Sequence, residues 1–91
     1  MSENIKEYIA QWDPMDFIRS DEAPVDEYDR EAYEIFLWFK GHRNATNDEV
    51  ATITHEIFVD RLEIDPEGFR DECYKRAAAI KAALQKDVKQ D

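Results

Sequence analysis

The chain has 91 residues, 43% of them apolar and 37% charged, with only two glycines and a net charge of −10. One domain with a small core, built from helices rather than turn-rich sheet, is the architecture that this length and composition support. The charge argues against direct nucleic-acid binding and against an anionic membrane, since both need a basic surface. It is unevenly spread. Residues 1–29 carry nine acids against Lys6 and Arg19, a balance of −7, whereas residues 30–91 carry thirteen acids against ten bases, a balance of −3. A basic partner is the electrostatic complement of such a chain, with the gain mainly in association rate.

Ser2 to Gln11 reads as an amphipathic helix, Ser2 being its cap and Ile5, Tyr8, Ile9 and Trp12 sharing one face. Asp13-Pro14 is expected to break it and to start a short second helix over 14–19, with Asp13 as N-cap and Trp12 and Phe17 as a hydrophobic staple. Residues 20–25 read as loop. Asp29 repeats the signal for a helix over 30–40, with Tyr28 and Tyr33 as staple and Gly41 as a left-handed terminator. The segment from Tyr33 to Phe39 is apolar almost all round, which places this helix at the centre of the domain.

Thr46-Asn47-Asp48-Glu49 is a capping box opening a helix over 47–62, with Val50, Ile53, Ile57, Phe58 and Leu62 on its buried side. Asp65-Pro66 opens the last helix, expected over 66–85 with Ile64 and Phe69 as staple. Its stripe is Phe69, Cys73, Ala77, Ile80 and Leu84, and the tail from Lys86 is expected to fray. Trp12-Asp13-Pro14 with Phe17, Tyr28-Asp29 and Asp65-Pro66 are thus read as structural punctuation. The expected fold is all-α, a compact four-helix domain with a short extra helical turn after Pro14.

Few residues are arranged for chemistry. Cys73, the one cysteine, sits on an apolar stripe, where a thiol is an inert packing group; His42 and His55 stand in no motif. The acids between Asp13 and Asp29 lack the glycine turn and alternating ligands of a calcium loop, and His55-Glu56 lacks the second histidine of a zinc helix. No carboxylate pair has the apolar setting of a general acid, and no glycine-rich loop could cradle phosphate. The sequence therefore nominates no catalytic residue, no metal ligand and no cofactor, and an enzyme is not expected. Neither a basic, apolar leader nor an apolar run of roughly 20 residues is present, so a cytoplasmic protein is expected. The acids Asp21, Glu22, Asp26 and Glu27 remain as a partner-binding surface, interleaved with Met15, Phe17, Val25 and Tyr28 as apolar anchors.

Trp12-Asp13-Pro14-Met15, followed by Asp26-Glu27-Tyr28-Asp29, resembles the YugE-like domain, a family of small bacterial proteins of unknown function. The resemblance spans about residues 3–84 and takes in the Ile64-Asp65-Pro66 restart. It implies a compact helical domain of this length and brings no activity or catalytic residues. The Trp38-Phe39 pair and the Ala/Lys-rich end have no counterpart in it. The expected function is a non-catalytic interaction domain for a basic protein, as in an immunity or inhibitor protein, acting as monomer or homodimer. A metal- or small-ligand-binding regulatory protein is the alternative.

Overall fold

A computed structural model describes residues 2–15 and 27–90. The fold is all-α, with five helices among the described residues: α1 (Glu3–Trp12), α2 (Asp29–Lys40), α3 (Asn47–Leu62), α4 (Phe69–Lys75) and α5 (Ala77–Gln90). Helix α3 touches α2, α4 and α5, while α1 lies against α5 and α2. Each helix contributes one stripe to a common core: Ile5, Ile9 and Trp12; Ala32, Ile35, Phe36 and Phe39; Val50, Ala51 and Phe58; Phe69 and Cys73; Ala77, Ile80 and Leu84. An aromatic chain runs through it. Trp12 stacks on Phe69 with ring centres 5.8 Å apart, Phe69 meets Phe58 edge-on at 5.6 Å, and Phe58 meets Tyr28 at 5.9 Å. Such offset and edge contacts add to the burial of the rings themselves.

Helix α3 has the span and the capping box that its sequence announces. The Glu49 N–H donates to Thr46 Oγ1 at 3.2 Å, and the Thr46 N–H donates to Glu49 Oε1 at 2.9 Å. The Thr46 backbone bond, then its hydroxyl, hold the Glu49 carboxyl below its usual range. Its buried stripe is rotated from the expected one. Val50, Ala51, Thr54 and Phe58 are buried while Ile53, Ile57 and Leu62 are only partly covered, with α2, α4 and α5 all packed against the helix.

The expected four-helix count fails at the last helix. Arg76, at φ −96° and ψ 2°, separates α4 from α5, so that α4 lies on α3 while α5 lies on α1. The start moves as well. Pro66 opens no helix: its carbonyl accepts from the Phe69 N–H at 3.0 Å, closing a turn whose third residue, Gly68, is left-handed at φ 84°. Asp65 caps nothing and instead meets His55 Nε2 at 3.0 Å, and Ile64 is 40% exposed rather than stapled to Phe69. Nor does the tail fray at Lys86. Helix α5 continues to Gln90, and Asp87 is fully buried against the start of α1.

Asp87 explains the start of α1. Its two oxygens accept from the Asn4 and Ile5 backbone N–H groups and from Asn4 Nδ2, each at 2.9 Å. A carboxylate on the positive end of a helix satisfies donors that have no intrahelical partner. Ser2, expected as the cap, makes no side-chain cap bond.

Asp13 is corrected too. It ends α1 in left-handed geometry (φ 51°, ψ 61°), its N–H returning to the Ile9 carbonyl, and Pro14 and Met15 form a turn. That backbone is not the extended form an N-cap requires. The expected helix over 14–19 and its Phe17 staple otherwise lie outside the described residues. Helix α2 begins at Asp29 itself with Tyr28 before it and no side-chain cap, and Gly41 is right-handed at φ −89°. Tyr33 and Leu37 are 44% and 47% exposed, so α2 is not enclosed all round; it turns one apolar edge outward.

Candidate functional site

Of the four acids expected to meet a partner, Asp21, Glu22 and Asp26 lie outside the described residues, and Glu27 is half-buried at the entrance to α2. The residues expected as punctuation around them are drawn together instead. The Tyr28 hydroxyl donates to Asp13 Oδ1 at 2.5 Å and accepts from the Met15 N–H at 3.2 Å. Trp12 seats its ring under the Arg76 guanidinium at 4.9 Å, and Arg76 Nη1 donates to the Tyr8 hydroxyl at 3.2 Å. Trp12-Asp13-Pro14-Met15 and Glu27-Tyr28-Asp29 thus form one clasp. With Asp13 and Tyr28 both buried, its work is to hold the end of α1 against the start of α2.

The surface with the features of a binding face lies along α2 and α3. Helical spacing aligns Glu31, Glu34 and Trp38 along one side of α2, and Glu27 lies in the turn before it. At the Trp38 end, a shallow cleft of about 350 Å³ has Trp38 and Ile53 as its floor and Asp48, Glu49, Thr52 and Glu56 around it. The Trp38 indole is fixed by His42, whose ring stacks on it at 4.4 Å and whose Nδ1 lies 2.8 Å from the Trp38 carbonyl oxygen. Tyr33 and Leu37, four residues apart on α2, are exposed. At the other end, a cleft of about 480 Å³ is lined by Glu27, Asp29, Arg30, Glu31, Arg61 and Leu62. Between the two ends Arg61 bridges the helices by binding Glu34 through both Nε and Nη2.

Among the described residues, Cys73, His42, His55 and Tyr74 are each engaged in packing or in a hydrogen bond. Burial first, then the nearby Asp65 and Glu72 carboxylates, push the Cys73 thiol up to about 12, so it stays protonated and unreactive at neutral pH. His55 lies against Phe69 at 5.6 Å and faces Asp65, with no nucleophile beside it among the described contacts. The Tyr74 phenol sits below its usual range through its hydrogen bond with Thr52, 2.7 Å away, and the neighbouring Arg70, a link that ties α4 to α3. Among the described residues no group of three or more His, Cys, Asp or Glu side chains is placed to hold a metal ion. None of the described helices is long and apolar enough to cross a membrane.

Glu31 and the Trp38–Ile53 cleft were not singled out from the sequence, although a signal existed. Glu31 stands four residues before Ile35 and eight before Phe39, the period of the buried stripe. No family model, curated protein or solved structure matches the chain.

Proposed function

We propose that the chain is a non-catalytic interaction domain that binds a basic protein on the α2–α3 face, in the cytoplasm, as an immunity or inhibitor protein binds its target. The observation that carries this reading is the Trp38–Ile53 floor ringed by Asp48, Glu49 and Glu56. An aromatic and an aliphatic side chain give the affinity, and the acidic rim selects a basic counterpart and speeds its approach. The net charge of −10, to which Asp21, Glu22, Asp26 and Glu27 contribute, acts in the same direction over longer range. The resemblance to the YugE-like family is compatible with this role and adds no chemistry to it.

The reading is tested with a helical peptide of lysines and leucines, titrated into the protein at low salt. Binding is expected to weaken steeply as salt rises and to be lost in Trp38→Ala. Binding that ignores salt, or that survives Trp38→Ala unchanged, would contradict it.

A further inference from the structure

The cleft at the start of α2 contains a group that a merely acidic surface does not require. The helical period carries Glu31 to the core side of α2, where it is 5% exposed, and its Oε2 is buried with no hydrogen-bond partner. A carboxylate oxygen in that position has lost its hydration and gained no donor, which is rare in folded proteins. Arg61, which lines the same cleft from α3, does not satisfy it, because its guanidinium is engaged with Glu34. Glu27, Asp29 and Glu31 stand against Arg30 and Arg61 in the lining, so the cleft keeps a negative excess after the Arg61–Glu34 pair is formed. An ionised carboxylate oxygen only accepts hydrogen bonds, so the group that would satisfy it is a donor, and a cationic N–H is the strongest one.

We propose that this cleft receives one lysine or arginine side chain of the basic partner, with Glu31 Oε2 as its buried acceptor. The inference rests on the reading of the chain as a binder of a basic protein, and it names the side chain that anchors that partner. A cationic N–H group entering here forms a charge-assisted hydrogen bond away from bulk water, which the exposed acids of the rim cannot offer. The cleft of about 480 Å³ has ample room for one such side chain. Glu31 and Trp38 are seven residues apart on the same side of α2, roughly 10 Å along the helix, so one partner segment can engage both ends of the face.

The test uses the full chain and three probes, N-acetyl-arginine amide, N-acetyl-lysine amide and the lysine–leucine peptide, followed by NMR. At least one amide probe is expected to shift signals centred on residues 27–31 and 61–62. Glu31→Gln is expected to weaken that probe by about tenfold or more and Asp29→Asn, which removes the same charge from the rim, by about twofold or less. Shifts located elsewhere, or equal weakening by the two variants, would overturn the proposal. Glu31→Gln keeps the side-chain shape and removes the buried charge, so its thermal midpoint should equal or exceed that of the parent; a clear fall would show that Glu31 serves the fold and would also overturn it. If the peptide binds the parent through Trp38 but is indifferent to Glu31→Gln, the anchor is wrong and the interaction reading stands. If the peptide does not bind the parent, both fail.

Discussion

One phenolic oxygen, that of Tyr28, lies 2.5 Å from Asp13 Oδ1 and 3.2 Å from the Met15 amide nitrogen, and it decides what both motifs around it are for. Sequence alone marks Trp12-Asp13-Pro14-Met15 and Glu27-Tyr28-Asp29 as unusual, and helix-start rules give Asp13 a role as N-cap. Those rules score only local hydrogen bonds, whereas Asp13 finds its partner on a tyrosine fifteen residues away. Tyr28→Phe keeps the ring against Phe58 and deletes only the hydroxyl. It should lower stability by about 1–3 kcal/mol in urea unfolding, because the Met15 N–H is left without this acceptor and Asp13 without this donor. A loss too small to measure would mean that the clasp is not what joins α1 to α2.

At the scale of elements, α3 was the most legible helix, since its capping box is a local event; the left-handed Glu63 that ends it, at φ 56°, carries no such signal. The stripe Phe69, Cys73, Ala77, Ile80 and Leu84 is buried as its spacing predicts, although Arg76 divides the helix that carries it. What local pattern could not supply was the capping of α1 by Asp87, an interaction across 83 residues. A lone acid in a polar, lysine-rich tail gives no sign that it will be buried at the other end of the chain. Asp87→Ala should cost about 2 kcal/mol, as the loss of hydrogen bonds from backbone donors to a charged acceptor does. Amide exchange at Asn4 and Ile5 should accelerate with it. An unchanged exchange rate at those two amides would show that α1 starts without help from α5. The binding face was similarly half legible: the acidic surplus can be counted, but the pairing of Trp38 with Ile53 depends on how α2 and α3 pack.

At the scale of the molecule, the two sides of the α2–α3 pair do different things. One side closes over the common core with α1, α4 and α5, and the other presents Tyr33, Leu37, Trp38 and Ile53 among acids, with the Arg61–Glu34 bridge across the middle. Isolated exposed apolar residues such as Tyr33 and Leu37 are ordinary, but the half-buried Trp38 and Ile53 share one cleft with Asp48, Glu49 and Glu56. The long-range field of a chain at −10 delivers a basic partner, and the apolar floor retains it. The most direct test of that account is charge reversal on the rim, Asp48→Lys with Glu56→Lys, followed by titration with the lysine–leucine peptide at low salt. Both positions are exposed, so the fold should survive the change. Affinity is expected to fall at least about tenfold and its salt dependence to flatten. Unchanged affinity in the reversed variant would contradict it.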